Sequence, residues 1–331
     1  MDANLGKSLN QSAPYDALQF CWERHQFWSA IANQQKKAVI ASRRLALVFG
    51  VAGAITETLA AQFLAWPQVA RIFSLAGAVI LAITPFLAKG FGREQILKWI
   101  RARSASEGLK TQVFLRMANA GNYAAAGADQ TLQEYVAKID ASAKDLAAEG
   151  RDTRQQFKPL PKVARPRDYL DQRVRQQIFD FYEKKIRELE SDLRACNRAA
   201  LILTVIAAVI GATAGIVRHE SWGVWSAVFT TIAGAVAAYM AAGRYEHLII
   251  SYQYTVNQLN AFRANFEPKV AAETVTQADF AAFVLECENI ISIENQGWMA
   301  AWDKSPQGTP PPPDANVATS PAMAATPARS P

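Results

Sequence analysis

The chain has 331 residues, a formal net charge of +6 and a mean hydropathy of −0.02. Its three cysteines (Cys21, Cys196, Cys287) and three histidines (His25, His219, His247) are scattered, which excludes a disulfide framework and any HExxH-type metal spacing. The positive charge gathers beside apolar runs rather than in one patch, so it reads as membrane orientation and not as nucleic-acid binding.

Residues 1–14 lack the apolar stretch of a cleavable signal and are expected to be disordered. A helix follows, "YDALQFCWERHQFWSAIANQQKKAVIASRR", and leads into the apolar run "LALVFGVAGAITETLAAQFLA", residues 45–65. A bilayer core of roughly 30 Å needs about 20 helical residues, and this run meets that length. It carries one acid, Glu57, with Thr56, Thr58 and Gln62 beside it. Intramembrane carboxylates are costly and face a bundle interior or a wet cavity. The four residues are therefore candidate pore-lining groups, against the plainer reading that Glu57 only fixes helix pairing.

"WPQVAR" separates this run from "IFSLAGAVILAITPFLA", residues 72–88, in which Pro85 predicts a kink near one end. Two polar helical stretches come next, ending in "GADQTLQEYVAKIDASAKDLAAEG". Residues 156–167, with three prolines in "FKPLPKVARPRDY", read as a linker. Leu170, Val174, Ile178, Tyr182, Ile186, Leu189 and Leu193 then recur at steps of three and four. That is an amphipathic helix, and nothing breaks it before the next apolar run.

That run, "AALILTVIAAVIGATAGIV" (residues 199–217), and its successor at 222–242 carry no charge. A soluble core helix of such length would show a polar stripe, so a second membrane hairpin is the reading. Its tip is Arg218 to Ser221. Gly211 and Gly215 form a GxxxG match and Gly234 opens a small-residue stripe, which makes these three candidate helix-packing positions. A long polar helix follows, expected to lie antiparallel to residues 168–193, and then another with Thr276 or Asp279 as cap. Glu286, Glu288 and Glu294 in that last helix read as its solvated face. The tail from residue 303 holds eight of the fifteen prolines and is expected to be disordered.

Lys36, Lys37, Arg43 and Arg44 precede the first span, Lys89, Arg93 and Lys98 follow the second, and Arg194, Arg198 and Arg244 flank the second hairpin. The tips offer only Arg71 and Arg218. Both termini are thus expected in the cytoplasm, with both tips outside. No Walker, Rossmann, GxSxG or HExxH motif is present, so no catalytic, cofactor or metal residue is assigned and an enzyme is not expected.

The stretch "YLDQRVRQQIFDFYEKKIRELESDLRACNRAALIL" resembles the opening of the bacterial SLATT domains (SMODS and SLOG-associating two-TM effectors), at Tyr169, Leu170, Arg173, Val174, Gln177, Tyr182, Glu183 and Lys184. "CENIISIENQGWMAAW" is similar to the end of that domain, at Glu288, Ile291, Glu294, Asn295 and Trp298. "SASEGLKTQVFLRMANAGNYA" looks like a second subtype, at Ser106, Glu107, Leu109, Lys110, Ala120, Gly121 and Tyr123. The family's usual Trp is Phe181 here.

The expected architecture is all-α: a SLATT-like domain at 15–155, the linker, and a second at 168–302, giving four membrane spans with long cytoplasmic helices. The resemblance implies a homo-oligomeric, pore-forming effector of a bacterial anti-phage system, in the inner membrane, triggered by a nucleotidyltransferase or sensor partner. The alternatives are an oligomeric scaffold without pore activity and a small ion-coupled transporter. Carriers often use inverted repeats, whereas both hairpins here point the same way.

Overall fold

The computed structural model describes residues 16–90, 92–148, 157–217 and 220–303. The expected disordered N-terminus, the tail beyond Asp303 and the Arg218–His219 tip lie outside them. The described residues are almost all helical, 157–164 being the main exception, with no strand among them.

Helix α1 (Ala17–Gln62) runs 46 residues without a break. The Asp16 carboxylate starts it by accepting the Leu18 N–H at 3.0 Å, an N-cap. Pro67 then opens α2 (Pro67–Lys89) at the position where a missing N–H costs nothing. Phe63 stacks on Phe73 at 5.7 Å across the turn. α2 continues through Pro85 to Lys89, with the Thr84 hydroxyl bonded to the Ile80 carbonyl at 3.2 Å. α3 (Arg93–Met117) packs along the first half of α1. Gly127, at φ 86°, holds a left-handed turn before α4 (Ala128–Ser142) and the short α5 (Lys144–Ala147).

The second half opens with α6 (Pro166–Tyr169), capped by Asp168, whose carboxylate accepts the Arg165 N–H at 2.9 Å. It passes directly into a π-wound segment, Leu170–Glu183, and then α7 (Lys184–Val217). These three make one 52-residue rod. The expected helix is present, but its winding is wider than the α-helix read from the sequence. Leu170, Val174, Ile178 and Tyr182, all buried and all four apart, line the inner face of this segment. α8 (Glu220–Gly243) returns, and Arg244, left-handed at φ 50°, breaks it from α9 (Tyr245–Ala271). α9 packs beside the π-wound segment and α7. Thr276 and Asp279 exchange bonds in a capping box that starts α10 (Gln277–Asp303).

The chain has two kinds of surface. One contiguous core joins both halves: Trp28 and Ile31 of α1, Leu109 and Phe114 of α3, Leu132 of α4, Ile178 of the π-wound segment, Leu259 of α9 and Val284 of α10. It lies wholly outside the four apolar runs, in a base formed by the polar helices. The runs themselves are scarcely covered. Leu64, Ile72, Leu75, Phe86, Leu201 and Ile216 point outward, each more than 60% exposed. Among the described residues, four helices are long and apolar enough to cross a membrane. Water would penalise that much bare apolar surface, and lipid would not. The two hairpins rise side by side from the same base, since Arg43 at the foot of the first donates to the Tyr239 carbonyl at the foot of the second, 3.0 Å away.

Candidate functional site

The base contains a buried polar network that sequence reasoning missed. Arg173, on the π-wound segment, donates through Nε and Nη2 to both carboxylate oxygens of Glu288 on α10, each at 2.7 Å. Its Nη1 donates to Gln177 Oε1 at 3.0 Å. The Tyr169 hydroxyl donates to Glu288 Oε1 at 3.1 Å, and the Thr111 hydroxyl of α3 to Oε2 at 2.8 Å. Phe114 closes one side, its centroid 4.9 Å from the guanidinium. Both charged side chains are 1% exposed. Burial alone would favour a neutral guanidinium, but the Glu288 carboxylate more than offsets it and raises Arg173 above its ordinary value. Burial, with the same carboxylate, pushes the Tyr169 hydroxyl well up.

Glu288 is thus a correction. The sequence reading put it on a solvated face with Glu286 and Glu294. It is instead the centre of the base, accepting from three elements at once, while the side chain of Glu294 lies outside the described residues.

Beside the network lies a cleft of about 750 Å³, lined by Trp22, His25 and Gln26 of α1, Glu107 and Lys110 of α3, and Gln172, Arg173, Gln176 and Asp180 of the π-wound segment. The Pro-rich linker forms one rim. It is an ordered strap: Trp22 Nε1 donates to the carbonyls of Lys158 and Pro159 at 3.0 and 3.1 Å, and Gln26 pairs with the Lys158 backbone both ways. His25 Nδ1 donates to the Ser106 carbonyl at 2.9 Å. Burial, with Lys110 close by, lowers His25 to about 4, so its ring is neutral at pH 7. Burial pushes the Glu107 carboxyl up, but Lys110, Arg103 and Arg173 outweigh that and hold it down at about 2. Burial and Arg173 lower Lys110 to about 8. Burial raises the Cys21 and Cys287 thiols, keeping both protonated. Among the described residues no group of three or more His, Cys, Asp or Glu is placed to hold a metal ion.

The candidate residues of the spans are placed as follows. Glu57 is half-buried and turned toward α2, against Gly77: a Cβ built on Gly77 would come within 2.6 Å of its Oε1. The Thr56 and Thr58 hydroxyls donate to their own helix, at the Ala52 and Ala54 carbonyls, 2.6 and 2.8 Å away. Gln62 is half-buried near the tip. Gly211 packs on Ser226, whose hydroxyl donates to the Ala207 carbonyl at 2.7 Å, closing the second hairpin. Among the described residues, a Cβ built on Gly215 or Gly234 would meet nothing within 4 Å, so Gly211 is the glycine of the GxxxG match that packs against a neighbour there.

Residues 169–298 match the model of the SMODS and SLOG-associating 2TM effector domain 1. The chain carries a SLATT domain. Residues 26–130 match a second model, described as a protein of unknown function (DUF4231). No curated protein and no solved structure matches the chain. The SLATT half supplies Tyr169, Arg173, Gln177 and Glu288 of the buried network, all positions at which the sequence resembles the family. The DUF4231 half supplies Glu107 and Lys110 to the same cleft, and the carbonyl of Ser106 to His25 at its wall. Resembling positions from both halves therefore meet in one place.

Proposed function

We propose that this SLATT-domain protein is a membrane effector whose base takes up a signal and whose spans, in an assembly of several copies, open an ion-conducting path in a bacterial inner membrane. The SLATT domain is a 2TM effector domain of conflict systems. The observation that carries the reading is continuity: α1 runs unbroken from the cleft, and the 166–217 rod from the buried network beside it, each into an apolar span. A repacking of the base is passed to the spans with no flexible joint between. A sensor or nucleotidyltransferase partner would act on the base, and no catalysis by this chain is invoked.

In this reading the basic ends of the hairpins face the cytoplasm. Cysteines placed at Gln68 and Ser221, in a Cys196→Ser background, should be labelled in intact cells by an impermeant thiol reagent. Cys21 and Cys287 are buried and stay silent. Labelling of a cysteine at Lys144 instead would invert the topology.

One observation favours a second reading, a scaffold that anchors partners without conducting. Glu57, Thr56 and Thr58 are turned into their own hairpin or bonded to their own helix. Reversal potentials across a bilayer in a salt gradient separate the two. An effector in which Glu57 turns to the path should be weakly cation-selective, since a carboxylate ring attracts cations, and Glu57→Gln should reduce that preference. Equal reversal potentials remove Glu57 from the path. No conductance from the wild type, even with its genomic partners, leaves the scaffold.

A further inference from the structure

A second cavity, of about 320 Å³, lies at the feet of the two hairpins, with Phe181 standing between it and the cleft beside Glu288. Lys36, Arg43 and Arg44 of α1, Arg103 of α3 and Lys185 of α7 face it, against only two carboxylates, Glu188 and Asp192. The Arg43 guanidinium reaches across to the second hairpin and lies 4.3 Å from the Tyr239 ring centroid. It can do so because residue 243 is glycine: a Cβ there would meet Arg43 Nη2 at 2.6 Å and the Tyr245 ring closer still. Arg43 Nε is buried and makes no hydrogen bond. Lys36 is crowded by Arg103 and Lys185, and burial together with those like charges lowers it to about 8.

Depth identifies the occupant. Arg43 and Arg44 immediately precede the first apolar run. The polar headgroup layer extends about 5–7 Å beyond the hydrocarbon on each side, or roughly four helical residues. Both arginines stand within it, and Lys36 lies two turns further from the hydrocarbon. Tyr239 and Tyr245 line the same level, where amphipathic rings favour the interface. Basic pockets between spans at this depth suit anionic headgroups.

We propose that this pocket binds the phosphate-bearing headgroup of an anionic phospholipid at the junction of the two hairpins. The phosphate oxygens accept from Arg43, Arg44 and Lys36, while the acyl chains follow the bare apolar faces above. Arg43 and Arg44 come from the first hairpin, while Tyr239 of the second lines the same pocket, so the lipid ties the hairpins together.

The test uses the full-length protein in nanodiscs of phosphatidylcholine, with and without cardiolipin, read by native mass spectrometry and by melting temperature. Wild type should retain cardiolipin and melt higher in its presence. Lys36→Gln with Arg43→Gln should weaken retention about thirtyfold, at roughly one surface cation's worth of binding per charge. Arg194→Gln with Arg198→Gln removes two exposed charges at similar depth outside the pocket and should leave retention unchanged. Should the pocket variant melt as wild type does in phosphatidylcholine alone, misfolding is not the cause of the loss. Should it melt lower, Gly243→Ala, which displaces Arg43 without removing charge, must also lose retention. Equal retention by wild type and variants overturns the proposal. So does an equal melting shift from inorganic phosphate, which would assign the pocket to a soluble anion. None of these readouts depends on conductance.

Discussion

Glu288→Ala should be the most damaging single substitution in the base. It leaves the Arg173 charge at 1% exposure with its two 2.7 Å bonds gone, and strands the Tyr169 and Thr111 hydroxyls. Removing one partner of a buried pair costs about 3–5 kcal/mol, because the other charge stays buried without compensation. Thermal melts of detergent-solubilised protein should show this as a large drop, or as loss of the folded form. Glu288→Gln, which keeps the shape and an acceptor, should fall between. The double variant Arg173→Met with Glu288→Leu should recover much of the loss, since apolar replacement of a whole buried pair is often neutral. A Glu288→Ala protein that melts like wild type would mean the pair is not buried as described.

Acidification should loosen the base between pH 6.5 and 4.5, through His25. In the folded protein burial and Lys110 lower its pKa to about 4, against 6.5 when exposed. In that window the unfolded chain binds a proton that the folded chain excludes, so stability is complete above pH 6.5 and lost as pH falls toward 4. At 1.36 kcal/mol per pH unit, the loss from 6.5 to 4.5 is about 2–3 kcal/mol. Glu107 is held at about 2 and has an ordinary value of 4.5, so it contributes only below this window, and Lys110, at about 8, lies above it. His25→Gln, which can still donate to the Ser106 carbonyl, should flatten the slope. Melts that are level from pH 6.5 to 4.5 in the wild type would sink the assignment.

The spans were legible because their signal is local: an uncharged run of sufficient length needs no knowledge of its neighbours. The unbroken passage of 168–198 into the third span was equally legible, since no Pro or Gly interrupts it. The base was not. Pairing Arg173 with Glu288 joins residues 115 apart in sequence, across helices whose rotation only packing decides. A trace of it was nevertheless present. Glu288 stands four after Val284 and three before Ile291, both fully buried, so it lies on the apolar face of α10 rather than on the wet one. Arg173 stands next to Val174 in the buried row of its own segment. Polar residues on an apolar face are the informative exceptions, and composition counted them as surface. The direction of Glu57 was illegible for another reason. It depends on the register of α1 against α2, which places Gly77 opposite it, and no periodicity within either helix reports that.

The 52-residue rod from Pro166 to Val217 also sets a mechanical gain. From the Tyr169 end to Val217 it measures about 70 Å at 1.5 Å per residue. A tilt of about 5° around the buried network would sweep the far end through about 6 Å. Packed helix axes lie about 8–10 Å apart, so a displacement too small to break a single bond of Arg173 is a large fraction of a helix spacing at the opposite face of the bilayer. In the proposed reading, a stiff arm of this kind would convert binding energy into distance without refolding.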